Sequence, residues 1–106
     1  MEFQPGTIIY NNYSNKQGIV LLVFSDFYTI PAVISNVTNN IPPFNDLHDD
    51  LKNIVKNLSI PFLSFGVSDY EKKVQWIMYR GIMDNICDCA PISRVSVISE
   101  IEMDVD

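Results

Sequence analysis

The sequence is short of positive charge, glycine, cysteine and histidine, and each shortage removes a class of function. Seven Lys and Arg stand against thirteen Asp and Glu in 106 residues, a formal net charge of -6. A chain so composed lacks the basic surface with which a reader of the phosphate backbone displaces counterions. Its four glycines, Gly6, Gly18, Gly66 and Gly81, are scattered singly, so no glycine-rich loop opens a helix to cradle a nucleotide phosphate. The two cysteines, Cys87 and Cys89, are one residue apart. That spacing strains a mutual disulfide, and reduced thiols in a cytosol fit it better. One C-x-C and one histidine, His48, fall short of the paired units of a structural zinc site. No metal or cofactor is expected. The longest apolar run, Ile19 to Phe24, is far below the roughly 20 residues that cross a bilayer. Met1 is not followed by a basic stretch and an apolar one, as a secretory signal would be. The expected location is cytoplasmic, with no membrane contact.

What is present is apolar enough to fold. With 47% hydrophobic and 19% charged residues, the chain is too apolar for a disordered acidic tail and too short for two cores. It reads as a single domain over residues 1–106. Three β-rich runs open it, Thr7 to Tyr13, Gly18 to Phe24 and Tyr28 to Val37, each bounded by turn residues. The middle run is apolar without alternation, the mark of a strand covered on both faces, and Pro31 makes the third an edge or bulged strand.

A long polar loop, Asn36 to Asn45, precedes an amphipathic helix on which Leu47, Leu51, Ile54, Val55 and Leu58 form one stripe. Asp46 is its expected cap, with Asp49 and Asp50 at the positive end of the dipole. Ser59-Ile60-Pro61 ends it. Phe62 to Val67 reads as a short strand, and Ser68 and Glu71 form a capping box for a second helix ending near Asn85 to Cys89, before Pro91. Arg94 to Val105 alternates as a final strand. The order is β-β-β-α-β-α-β: an α+β domain with two helices packed on one face of an antiparallel or mixed sheet.

Pro5-Gly6-Thr7-Ile8-Ile9 and Ile30-Pro31-Ala32-Val33-Ile34-Ser35 resemble the opening strands of the MazF/PemK endoribonuclease toxins. The family has an Arg before the Pro, where this chain has Ile30, and a shorter gap than Gly18 to Pro31. The likeness covers under a third of the chain and carries no catalytic residue across.

Chemistry-bearing constellations are sparse. His48 is the only histidine, so a small hydrolase or nuclease would have to use it with nearby carboxylates. The same residue reads first as an ordinary helix position beside acidic neighbours. Asp46, Asp49 and Asp50 are accounted for by capping and the dipole. The stronger signal is a surface one. On the second expected helix, Trp76, Tyr79, Met83 and Cys87 line up opposite the Val74, Ile77 and Gly81 stripe, and Arg80 adjoins them. A helix apolar on both sides is either buried within its domain or presents one face to a partner. Glu100, Glu102 and Asp104, with Asp106 beyond, repeat every second residue. Such a ridge either steers a basic partner or keeps an edge strand from pairing with another sheet.

The expectation is therefore a small acidic, non-enzymatic interaction module of the inhibitor, immunity or viral and phage accessory type. It would bind a protein partner, or form a homodimer, through Trp76, Tyr79, Arg80 and Met83, with Glu100, Glu102 and Asp104 alongside. The alternative is the His48 enzyme. An exposed Trp76 favours the partner face, and a buried Trp76 in a monomer removes it.

Overall fold

Residues 19–24 carry six apolar side chains in a row, and an extended chain of that kind needs cover on both faces. The computed structural model describes residues 3–99. Its strands are β1 (Ile8–Asn11), β2 (Lys16–Phe24), β3 (Trp76–Gly81), β4 (Cys87–Pro91) and β5 (Val95–Ser99). They form one antiparallel sheet in the order β4-β3-β2-β1-β5, with β2 in the middle. The last strand returns beside the first after a 3-10 turn, Ile92–Arg94. In the β1–β2 turn Asn15 takes a left-handed φ of 58°, and the Asn11 side-chain oxygen accepts from the backbone N–H groups of Tyr13 and Ser14.

Cover on both faces comes from two separate cores. On one face Ile9, Val20, Ile77, Tyr79, Ala90 and Val95 pack together. On the other, Leu22, Phe24, Trp76 and Met78 meet the helices through Ile30, Val37 and Val55. A bulge at Leu21 lets β2 serve both: the register with β3 slips between Val20 and Leu22, which reverses the side-chain alternation partway along the strand. β3 needs no bulge, because Trp76 and Met78 alternate with Ile77 and Tyr79, and all four are buried.

Polar atoms on these rings are satisfied. Trp76 Nε1 donates to the Glu71 carbonyl at 2.8 Å, and the Tyr79 hydroxyl accepts from Asn11 Nδ2 at 2.9 Å. The Tyr79 ring lies across Gly18 on the neighbouring strand, where a Cβ would collide with it.

The helices lie between β2 and β3 in sequence: α1 (Ile30–Thr38), α2 (Asp49–Lys56), α3 (Ile60–Leu63) and α4 (Asp69–Lys73). A reciprocal Asp26–Thr29 capping box closes the 3-10 turn Phe27–Thr29 that leads into α1. Pro31 sits in the first turn of α1, where its missing N–H costs nothing. Ser68 and Glu71 form the expected capping box at α4.

The α+β class and the placement of helices over one face are as the sequence indicates; several segments are not. Residues 28–37 are helical rather than a strand, since Ile30, Val33, Ile34 and Val37 recur at helical spacing and Pro31 suits a helix start. That also removes the strand on which half of the MazF/PemK likeness rests. Ser59-Ile60-Pro61 begins α3 rather than ending a helix, with the Ser59 hydroxyl accepting from Phe62 N. Residues 62–67 are accordingly the end of α3 and a turn through Gly66 at φ 73°. The helix opened by Ser68 stops at Lys73, because Trp76–Gly81 is drawn into the sheet as β3. His48, not Asp46, caps α2, its Nδ1 accepting from Asp50 N at 3.2 Å. The final strand is described as far as Ser99, with Val95 buried and Ser96 and Ile98 exposed in the expected alternation.

The Gly18 contact yields a direct test. Gly18→Ala pushes a methyl group into the buried Tyr79 ring and is expected to destabilise the fold by about 1–3 kcal/mol. Urea denaturation measures it, and a midpoint equal to that of the parent would contradict the packing described.

Candidate functional site

At the end of the sheet where β5 begins, one arginine holds four parts of the chain together. Arg94 leaves the 3-10 turn before β5 and meets Glu71 of α4 in a two-pronged pair, Nε to Oε2 at 2.5 Å and a terminal nitrogen to Oε1 at 2.9 Å. The same terminal nitrogen donates to the Gly66 carbonyl at 2.9 Å. The guanidinium also stacks over the Tyr13 ring, 4.4 Å from its centre. Glu71 is in turn fixed by the Ser68 backbone N–H at 3.0 Å. Both side chains are largely withdrawn from solvent, at 18% and 12% exposure for Arg94 and Glu71. The Arg94 hydrogen bonds hold the Glu71 carboxyl at about 2, outweighing the opposing effect of burial, with the Ser68 N–H assisting.

This clamp fixes one side of a groove of about 290 Å³. Tyr13 on the β1–β2 turn, Phe62 at the end of α3 and Phe65 in the turn after it line the opening, with Asp88 and Pro91 of β4 beside them. The three rings are 69%, 75% and 86% exposed, a concentration of apolar surface that a solvent-facing turn does not need for its own stability. A second, larger and shallower cleft of about 690 Å³ lies between α2 and the β3–β4 end of the sheet. Asp50, Asn53, Asn57, Arg80, Asn85 and Cys87 line it, and it is more polar than the groove.

The residues singled out in the sequence fall in four places. Trp76 and Tyr79 are 1% and 0% exposed and lie on opposite faces of a strand, so the aromatic helix face does not exist at the surface. Arg80, on the same strand, is half-buried in the polar cleft. Met83 is 94% exposed in the β3–β4 turn, which a Lys16–Asp84 ion pair of 2.7 Å steadies. Glu100, Glu102 and Asp104 lie outside the described residues.

His48 stands in solvent as a helix cap, and its Nδ1 is already used as an acceptor. Cys87 and Cys89 are both half-buried free thiols on β4. Burial, with Asp88 and Cys87 adding to it, pushes the Cys89 thiol well up, away from thiolate chemistry.

Sequence reasoning missed Tyr13, Phe62, Phe65 and Arg94 as a group. They come from three separate segments, and no local pattern links them. Comparison of the chain with protein-family models, with curated proteins and with solved structures finds no match.

The Glu71 pair predicts a specific acid limb. A carboxyl whose value is lowered in the folded state stabilises the fold in full above its ordinary value of 4.5 and loses that contribution as pH falls toward about 2. The loss is expected to be on the order of 1–3 kcal/mol. Glu71→Gln should lower stability near neutral pH and flatten the dependence over that window. Thermal melts of both proteins across the window decide it, and superimposable acid limbs would contradict the pair.

Proposed function

We propose that this chain is a non-enzymatic interaction module that takes a segment of a protein partner into the groove between the β1–β2 turn, α3 and β4. The observation that carries the reading is the convergence of Tyr13, Phe62 and Phe65, all widely exposed, on a wall held rigid by the Glu71–Arg94 pair. Exposed aromatic rings carried on such a wall supply large contact area. Aromatic surface also serves single-stranded nucleic acid, but that use requires a basic track for the backbone. Here Arg94 is neutralised by Glu71, Asp88 adds a carboxylate, and the chain as a whole carries -6.

Met83 and the acidic residues Glu100, Glu102 and Asp104 are candidates for flanking contacts and steering, respectively. The free, closely spaced Cys87 and Cys89 support a reducing compartment such as the cytosol. The competing enzymatic reading rests on His48 alone, and its exposed, cap-bonded ring gives that reading no geometric support.

Selection from a displayed library of random peptides tests the module directly. The chain should enrich a related set of sequences, and the pair Phe62→Ser and Phe65→Ser should weaken their binding by about tenfold or more. Both side chains point largely into solvent, so the variant keeps its fold. Failure to enrich any set, or equal binding by the variant, would overturn the proposal.

A further inference from the structure

We infer, resting on the groove reading above, that the segment it takes is a proline-rich, left-handed extended helix carrying a lysine or arginine. Three features of the groove point to this chemistry rather than to an added β-strand.

The first is the state of the β4 edge, which forms one wall. β4 is the outermost strand beside β3, and such an edge ordinarily invites an added strand. In this ladder Gly81 N donates to the Ile86 carbonyl and Ile92 N to the Gln75 carbonyl. Antiparallel alternation then turns the backbone groups of Asp88 and Ala90 toward β3 and those of Cys87, Cys89 and Pro91 outward. Of those outward positions Pro91 has no N–H, and the Cys89 N–H is already taken by Asp88 Oδ1 at 2.9 Å. An incoming strand finds most of its donors missing. With the Cys87 N–H the one outward donor left among these three, the edge favours an occupant that binds through its side chains, as a polyproline-type helix does, since it makes no regular backbone ladder.

The second is the rim. Tyr13, Phe62 and Phe65 offer flat apolar faces, and Arg94 pins one face of Tyr13 while most of the ring stays open. Flat, exposed aromatic surfaces of this kind receive pyrrolidine rings, whose conformational freedom is already low before binding.

The third is charge. Arg94 is paired within the wall, whereas Asp88 has no Lys or Arg within ion-pair distance among the described residues. Lys16 acts on Asp88 only from beyond that distance, so the groove carries one carboxylate without a direct cationic partner, which a cation on the ligand would meet. An acidic or phosphate-bearing ligand would be repelled at the same place.

Fluorescence anisotropy with four labelled probes tests this. They are a short peptide with proline at every third position and a central arginine, the same peptide with glutamate for the arginine, a version with alanine for each proline, and a single-stranded RNA oligomer. The first should bind best, with the glutamate and alanine versions each about tenfold weaker and the RNA weaker still. Asp88→Asn, which preserves the acceptor for Cys89 N, should erase the difference between the arginine and glutamate peptides. Equal binding of those two peptides to the parent chain, indifference to proline content, or preference for RNA would overturn the inference. If the displayed library yields ligands of another composition, this inference falls and the module reading stands. If no peptide binds in either experiment, both fall.

Discussion

Four consecutive side chains, Trp76 to Tyr79, leave solvent almost completely, and an extended chain can do that only with an apolar layer on each side. Much of the architecture answers to that demand. The helices between β2 and β3 supply one layer, through Ile30, Val37 and Val55 against Trp76 and Met78. Ile9, Val20 and Val95 supply the other, against Ile77 and Tyr79. Each of the four burials contributes about 1.5–3 kcal/mol. The polar atoms that go in with the rings are bonded from outside the strand, by the Glu71 carbonyl and by Asn11. Gly18 is bare so that the Tyr79 ring can lie over it.

The groove is a consequence of the same arrangement. The Glu71 carbonyl that receives Trp76 Nε1 belongs to the residue whose carboxylate receives Arg94. The helical layer is therefore tied to the sheet through one residue used at both its backbone and its side chain. That tie brings the turn after α3 against the β1–β2 turn and leaves the rings of Phe62, Phe65 and Tyr13 around one opening. A rigid wall with exposed aromatic rims is a surface suited to a ligand that arrives already ordered.

How much of this can be read from the sequence depends on whether the signal is local. Ile19 to Phe24 announces a central strand by its unbroken apolar run, and Ser68 with Glu71 announces a helix start by a four-residue pattern; both are found in place. The apolar residues from Trp76 to Tyr79 satisfy a helical spacing and an alternating one equally. The helix that they suggest is apolar on two sides, which a small domain has no easy way to bury; a strand between two layers resolves that conflict. Pro31 and Pro61 are punctuation of the ambiguous kind, since a proline that ends one element also fits the first turn of the next. At Pro61 the mark of a helix start is the Ser59 hydroxyl just upstream, and at Pro31 it is the Asp26–Thr29 box of the preceding 3-10 turn. The groove residues have no such local signature. Tyr13, Phe65 and Arg94 are brought together by the return of β5 beside β1 and by a salt bridge spanning 23 positions of the chain.

The claim on which the rest turns is that Trp76 belongs to the interior of a single chain, which removes the β3 segment as a surface and leaves the groove as the proposed one. Because Trp76 is the only tryptophan, its fluorescence in dilute solution, with light scattering to confirm a monomer, measures that claim directly. The structure predicts blue-shifted emission, weak quenching by acrylamide and no change on further dilution. Solvent-like emission that acrylamide readily quenches in the monomer, or burial that disappears on dilution, would contradict it and return Trp76 to an interface.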